Sequence, residues 1–325
     1  MPGNEQNRVE RIVAVDWSGR VDAAGQRRHI WAGVWTAAPR PRQAGNGTAK
    51  PGDPTAKMGR VTLETGRTRA ELIEWLIALA RETPRMVVGI DCCFSFPKWF
   101  LEEHECLTVF EFWQQVAAGK GEAWLHRDCA DIRFWGKRKT RPAEFCGDQN
   151  HRMMRQTDME NKVIPRSTNC DPDSWLRSAM RGITAKSPFQ IGGSGSVGTG
   201  SLRAMPALLH LREAGFRIWP FDDAALEAAS PRPLVIEMYT RLLTGAVAKS
   251  NAAARKLYLD RRRQEETIYA GLSPQVRAKA LASEDGFDAL VSALELVRWR
   301  NDFASLRRTQ NPQLQLEGIT WRPGL

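Results

Sequence analysis

Five acidic residues stand at places in the chain where side chains of this type could work together. Asp16, Asp91 and Glu237 lie at or near the end of apolar, largely β-branched runs, which read VAVD, VGID and VIEM. Such runs are typical of buried strands that deliver a charge to the edge of a sheet. Asp285 and Asp288 lie three residues apart at the start of an amphipathic helical pattern, so both face the same way. Carboxylates gathered in this way need a cation among them, and oxygen ligands suit Mg²⁺ or Mn²⁺, so we expect a divalent-metal site for phosphate chemistry.

The overall composition is that of a soluble globular protein with a basic surplus. The chain has 325 residues, 42% of them hydrophobic and 26% charged, which allows one large domain or two ordinary ones with a sizeable core. Its 47 Lys and Arg against 37 Asp and Glu give a net charge of +10. This surplus favours a polyanionic partner such as DNA or RNA, although charge alone indicates a merely basic protein equally well.

The cysteines and the hydropathy of the sequence indicate the cellular compartment in which the protein is expected. The six cysteines include an adjacent pair and no CxxC spacing, so neither a disulfide framework nor a structural zinc site is indicated, and we expect reduced, mostly buried thiols. The N-terminal residues lack the pattern of a signal peptide. Apolar runs of about 18 residues, as a membrane span requires, are absent from the sequence. We expect a cytoplasmic protein without a membrane partner.

The periodicity predicts an α/β fold. Strands are expected over residues 11–17, 29–37, 60–65 and 86–91, with a helix over 68–82 between the last two. This order fits a mixed sheet that begins as an antiparallel meander and continues through a crossover helix. Two further strands are expected over residues 216–221 and 234–239, and a last edge strand over residues 316–321. Helices are expected over residues 201–214, 251–270 and 284–301. The small residues Ala289, Ser292 and Ala293 beside the helical acids predict that this helix packs closely on the sheet.

Residues 97–200 are interpreted as an insertion or cap within a single domain over residues 1–325, with helices near 108–118 and 122–131. The stretch 133–141 mixes aromatic rings with positive charge, including Arg138 and Lys139. One interpretation is that this stretch binds a nucleic-acid backbone and stacks on bases. The other is that it is a solvated basic loop, and the sequence supports the two interpretations equally.

The glycine-rich segment over residues 191–200 precedes the helix predicted from Ser201. It lacks the lysine of a P-loop, which argues against a Walker-type nucleotide site. Backbone amides that hold a phosphate at a helix N-terminus and a mobile surface loop both remain open. The five histidines are scattered and are interpreted as structural, and the absence of a GxSxG motif gives serine hydrolase chemistry no support.

The motifs VDWSG, GID, EMYTR and DGFDALVSAL, in this order, resemble the domain-of-unknown-function family 429, a group of predicted RNase H-like nucleases. The similarity spans roughly residues 11–322. It implies an RNase H-like five-stranded mixed sheet whose first three strands are antiparallel, flanked by helices. By the same resemblance, Asp16, Asp91, Asp285 and Asp288 are expected to bind metal, and Glu237 matches a Glu-x-Tyr-Pro-Arg motif in which Thr240 replaces the usual proline.

The resulting hypothesis is a two-metal-ion nuclease that uses Mg²⁺ or Mn²⁺ to hydrolyse phosphodiester bonds. Asp16 would bridge the ions, and Asp91, Asp288 and either Asp285 or Glu237 would complete their ligands. Contacts to the substrate phosphate are expected from Ser18, Arg138, Lys139, Ser201 and Arg241. Two alternatives stay open: an actin- or hexokinase-like ATP-dependent phosphotransferase, and a catalytically inactive nucleic-acid-binding protein of the same fold.

Overall fold

A computed structural model describes residues 8–38, 59–136, 140–146, 151–162, 186–193, 196–223, 226, 230–245 and 247–323. The strands are β1 (Arg11–Asp16), β2 (Trp31–Thr36), β3 (Arg60–Thr65), β4 (Met86–Asp91), β5 (Arg217–Ile218) and β6 (Leu234–Met238). The helices are α1 (Ala23–His29), α2 (Arg69–Glu82), α3 (Lys98–Glu103), α4 (Val109–Gln115), α5 (Gly121–Leu125), α6 (Gln156–Lys162), α7 (Gly198–Glu213), α8 (Thr240–Thr244), α9 (Ala252–Glu265), α10 (Thr267–Ala270), α11 (Pro274–Ala282), α12 (Glu284–Arg298) and α13 (Pro312–Glu317).

The strands that lie within the described residues form one six-stranded mixed sheet in the order β3-β2-β1-β4-β6-β5. The first three are antiparallel neighbours, and β1, β4, β6 and β5 run parallel. This confirms the predicted α/β class and the antiparallel start of the sheet. Because β1, β4 and β6 run in one direction, their carboxyl ends meet at the same edge.

The central strands are buried on both faces, and their side chains alternate between two apolar layers. Val13 and Val15 of β1 pack into the layer that contains α2 and α7, whereas Ile12 and Ala14 pack into the layer that contains α12. We call these two sides of the sheet the α7 face and the α12 face.

The α12 helix lies unusually close to the sheet, as the small residues predicted. A Cβ atom added at Gly33 in β2 would lie 2.3 Å from the carbonyl oxygen of Ala289 and 2.9 Å from the Cβ of Ala293. Any side chain at Gly33 would collide with the backbone of α12, so glycine permits this approach. The close packing brings the start of α12, with Asp285 and Asp288, over the end of β1.

The predicted insertion contributes aromatic side chains to the layer on the α7 face. Phe96, Phe100, Phe112, Trp124 and Phe134 are buried there, with ring centroids 5.2–6.5 Å apart in the pairs they form. These contacts join the described parts of residues 97–200 to the sheet through one continuous core.

Several elements differ from the sequence predictions. The helix predicted over residues 251–270 is divided into α9 and α10, and the helix predicted over residues 122–131 ends at Leu125 in α5. α1 was not predicted, although Asp22 caps it by accepting a hydrogen bond from the Gly25 amide at 2.6 Å. The predicted strand over residues 216–221 is reduced to the two residues of β5. The predicted edge strand over residues 316–321 is wrong, because Asn311 and Pro312 start a helix there and only one backbone bond, from Trp321 to the Glu237 carbonyl at 2.8 Å, reaches β6.

The described cysteines are free thiols, as expected from the sequence. Among the five cysteines that are described, Cys92, Cys93 and Cys106 are buried, and all five carry free thiols. Within the described ranges, the helices are too short or too polar to cross a membrane.

Candidate functional site

The pleat of the sheet separates the strand-end acids into two groups. Side chains two residues apart in a strand lie on the same face of the sheet. Asp16 therefore lies on the face of Ile12 and Ala14, and Asp91 on the face of Val87, so both carboxylates project on the α12 face. Glu237 lies on the same side of its strand as Val235 and projects on the α7 face instead. The structure therefore brings Asp16 and Asp91 to the start of α12 and takes Glu237 away from it.

The helical acids reach the same place because α12 begins beside the strand ends. Ser283 caps the helix by accepting a hydrogen bond from the Gly286 amide at 3.1 Å. Asp288 is only 1% exposed, and the Lys249 ammonium donates to its Oδ2 atom. The other oxygen of this carboxylate, Oδ1, is buried and finds no hydrogen-bond partner among the described residues.

The four carboxylates Asp16, Asp91, Asp285 and Asp288 form one electrostatic unit, which we call the acid cluster. Burial raises the pKa of Asp16 well above its ordinary value, and repulsion from Asp288, Asp91 and Asp285 raises it further, while Lys249 lowers it. Burial also raises the pKa of Asp288, to about 6, although Lys249 favours its charged form. The protein therefore under-neutralises these acids, which is characteristic of functional sites.

Two neighbours orient the remaining members of the acid cluster. The Thr240 hydroxyl, at the start of α8, donates to Asp91 Oδ2 at 3.0 Å. His29 Nδ1 lies 2.8 Å from Asp285 Oδ2, and these two side chains are 33% and 31% exposed. Asp285 therefore lies at the rim of the site and Asp288 in its interior.

The donor atoms of the acid cluster fit a hard divalent cation. All are carboxylate oxygens, the ligands that Mg²⁺ and Mn²⁺ prefer, and no described residue donates to the buried Asp288 Oδ1. Across the residues that the structure describes, no three His, Cys, Asp or Glu side chains already surround a point that a metal ion would occupy. The chemistry of the donors fits, while Lys249 holds Asp288 in its present contact.

Glu237 lies in a different environment, in which both of its carboxylate oxygens have hydrogen-bond donors. Arg155 donates to both of its carboxylate oxygens, one of them at 2.7 Å, and the Phe94 amide donates to Oε2 at 2.8 Å. The Thr320 hydroxyl donates to Oε1 at 2.6 Å. Arg155 also pairs with Asp158 at 2.9 Å. We call this fully buried set the Arg155 network, and it has the geometry of a structural ion-pair network.

A cavity of about 640 Å³ opens beside Asp91 at the same edge of the sheet. The loops after β1, β4 and β6 and the first turn of α7 line it, and its lining includes the cationic side chains Arg20, Lys186 and Arg203. Arg203 is already paired with Glu122 at 2.7 Å. Asp91 thus belongs both to the acid cluster and to the wall of the cavity.

The residues expected to contact a phosphate have varied placements. Ser201 is fully buried, where its hydroxyl accepts from the Cys93 amide at 3.0 Å and donates to the Val197 carbonyl at 2.9 Å. Ser18 is 9% exposed and accepts from the Arg20 amide at 3.3 Å. Arg241 donates to the Val247 carbonyl at 3.1 Å. Arg138 and Lys139 lie outside the described residues.

Residues 133–135 of the basic and aromatic stretch are engaged in internal contacts. Phe134 and Trp135 are 1% and 6% exposed, so neither ring offers a face for stacking on a base. Arg133 pairs with Asp131 at 2.8 Å and with Glu103 at 2.7 Å. In the glycine-rich segment, a Cβ at Gly198 would lie 2.1 Å from the Pro188 carbonyl, so close packing explains that glycine.

Sequence reasoning missed Lys249, Arg155 and the role of Thr240. Lys249 lies in a turn between predicted elements, where no periodic pattern marks it. Thr240 was noticed only as a departure from proline, and the structure shows that its hydroxyl makes a bond to Asp91 that proline lacks. His29, interpreted as structural, contacts a member of the acid cluster.

No family model, no curated protein and no solved structure matches the chain. The resemblance inferred from the motifs therefore stays a prediction, and the function has to be argued from the site itself.

Proposed function

We propose that the protein is a metal-dependent nuclease that hydrolyses phosphodiester bonds. The observation that carries the proposal is the buried Oδ1 atom of Asp288, which has no donor among the described residues, within a group of four carboxylates that Lys249 neutralises only in part. A buried carboxylate oxygen without a donor is costly, so such an arrangement persists where a cation completes it.

Asp16, Asp91 and Asp288 would hold the cation, with Asp285 at the rim. A bound Mg²⁺ or Mn²⁺ supplies a water of lowered pKa and neutralises charge on the phosphate oxygens. Thr240 fixes the orientation of Asp91 through its hydrogen bond, and Lys249 places a positive charge next to Asp288. Glu237 is left out of this set, because Arg155, Phe94 and Thr320 already occupy its carboxylate.

The cavity beside Asp91 supports a nucleic-acid substrate. Its volume of about 640 Å³ is within the range of small-ligand pockets, roughly 300–1,000 Å³, and accommodates a nucleotide next to the proposed scissile bond. Arg20 and Lys186 in its lining offer positive charge to a phosphate, and the net charge of +10 favours a polyanion.

Cleavage assays with Mn²⁺ or Mg²⁺ on single-stranded, duplex, hybrid and branched substrates test the proposal. Asp16→Asn should lower the rate at least roughly 10³-fold, because a catalytic cation contributes several kcal/mol to the transition state. The matched control is Asp128→Asn, whose side chain is 66% exposed and distant from the acid cluster in sequence; it should leave the rate unchanged. Cleavage that survives Asp16→Asn in a folded protein refutes the metal assignment.

Binding measurements separate the proposal from its alternatives. Affinity for an oligonucleotide should fall steeply with salt, since backbone contacts release counterions. Binding without cleavage under every metal condition would favour an inactive nucleic-acid-binding protein. ATP hydrolysis in the absence of nucleic acid would favour a phosphotransferase.

A further inference from the structure

Lys249 is a cation that the protein itself brings into the acid cluster. Its ammonium contacts Asp288 Oδ2 and lies 3.9 Å from Glu284 Oε1. A lysine side chain is ordinarily cationic at neutral pH, so this contact places a positive charge next to the carboxylates proposed to hold a metal ion.

The backbone around Lys249 is fixed in a way that aims the side chain. Arg255, only 6% exposed, donates one Nη atom to the Lys249 carbonyl and the other to the Leu281 carbonyl at 2.7 Å. The Lys249 amide donates to the Val247 carbonyl at 2.9 Å, and the Asn251 amide donates to Ala248 at 2.9 Å. A buried arginine and a closed turn thus hold this lysine, in contrast to a mobile surface lysine.

The contact divides the Asp288 carboxylate into two halves. Lys249 occupies Oδ2, and Oδ1 is buried without a partner among the described residues. A divalent ion on Oδ2 would have to share that oxygen with an ammonium of like charge, whereas an ion on Oδ1 would not. The free oxygen is therefore where a metal ion fits while Lys249 stays in place.

We infer that Lys249 takes the place of one of the two divalent cations expected from the sequence, so that the site binds a single metal ion. The inference rests on the proposed function. The three interior acids Asp16, Asp91 and Asp288 carry three negative charges when ionised, and one ammonium with one divalent ion balances them. Asp285 and Glu284 are outside this count because they lie at the rim, 31% and 44% exposed, where water screens their charge. A second divalent ion would leave the interior of the site with excess positive charge before the substrate arrives.

Counting Mn²⁺ ions on the full-length chain tests the inference without an activity measurement. The wild type should bind one Mn²⁺ by calorimetry, with and without an uncleavable oligonucleotide, and its spin-resonance spectrum should show an isolated ion. Lys249→Met should bind two ions and show the spectrum of a coupled pair. The matched control Lys256→Met removes an exposed lysine that pairs with Asp260 at 2.7 Å, and it should bind one.

The outcomes separate the two proposals. Two coupled ions in the wild type, or one ion in a folded Lys249→Met variant, overturn the inference and leave the metal-dependent nuclease intact. If the wild type binds no Mn²⁺ in either condition, the proposed function fails and the inference fails with it. Lys249→Arg, which keeps the charge, should bind one ion, and the wild-type count alone decides the matter if Lys249→Met does not fold.

Discussion

The acid cluster and the Arg155 network are built on neighbouring strands and completed in opposite ways. Asp91 ends β4, and Glu237 lies opposite Ile90 in the adjacent β6. Arg155, Phe94 and Thr320 surround Glu237 with donors to both of its oxygens. In the acid cluster, Asp288 has Lys249 on one oxygen and nothing in the described residues on the other.

The contrast teaches that burial of an acid does not by itself indicate chemistry. Both Glu237 and Asp288 are 1% exposed. What distinguishes them is the number of donors that the fold supplies, because a carboxylate whose donors are all present has no capacity left for a ligand. The pleat of the sheet decides which of the two environments a strand-end acid enters.

The largest effect should come from breaking the closed network. We expect Glu237→Gln to lower the free energy of unfolding by about 3–5 kcal/mol. The amide nitrogen would face a buried donor that now bonds to the carboxylate, and Arg155 would keep only Asp158 as a partner charge. Asp16→Asn should instead raise the free energy of unfolding, because burial and the neighbouring acids disfavour the charged form of Asp16. Urea unfolding of the metal-free proteins measures both. Equal losses in the two variants would contradict the distinction.

The pH dependence of stability should identify the open cluster. The pKa of Asp288 is about 6 in the folded protein against an ordinary value of 3.8, so the folded state holds its proton more tightly. Stability of the metal-free protein is therefore lost as pH rises from 3.8 through about 6, by up to about 3 kcal/mol.

Asp288→Asn removes this titration and should reduce the slope of the stability profile over that window, while the titration of Asp16, whose pKa is also raised, remains. Urea unfolding at a series of pH values, with wild type and variant side by side, measures the difference. Saturating Mn²⁺ should restore stability to the wild type at neutral pH. If the stability of the variant depends on pH in the same way as that of the wild type, the ionisation of Asp288 does not cause the loss of stability.

The sequence predicted the strands that carry the acids and could not predict which acids meet. Strands β3 and β4 were predicted residue for residue, because apolar β-branched runs with sharp ends leave few alternatives. The close approach of α12 followed from Ala289 and Ala293. These features are local, or depend on one face of one element.

What the sequence could not show depends on contacts between distant segments. Arg155 lies 82 residues from Glu237, within the region interpreted as an insertion or cap, and no local pattern there indicates a buried ion pair. Lys249 lies 39 residues from Asp288, in a turn. Glu237 must lie on the same face of the sheet as Val235, two residues before it. The sequence does not show which helices cover that face, so it could not place Glu237 away from the other acids.

Two threonines sharpen the comparison, because each donates a hydrogen bond to one acid. Thr240→Val removes the bond to Asp91 and should weaken Mn²⁺ binding roughly 10–100-fold, the usual cost of losing a bond that orients a ligand. Thr320→Val removes the bond to Glu237 and should cost about 1.5–3 kcal/mol of stability without changing Mn²⁺ affinity. Calorimetry and urea unfolding on both variants give the four values, with Thr240→Ser as the control that keeps the hydroxyl. Interchanged effects would reverse the assignment of the two sites.

The smallest effect should come from the rim of the acid cluster. His29→Ala should lower the free energy of unfolding by less than about 1 kcal/mol, because His29 and Asp285 remain 33% and 31% exposed and water screens their pairing. The Mn²⁺ count should stay at the wild-type value, since the interior acids do not depend on this contact. Thermal unfolding and Mn²⁺ titration measure the two quantities. If Mn²⁺ binding is lost instead, Asp285 is a ligand that His29 holds in place, and the boundary between the rim and the interior of the cluster must move outward to include it.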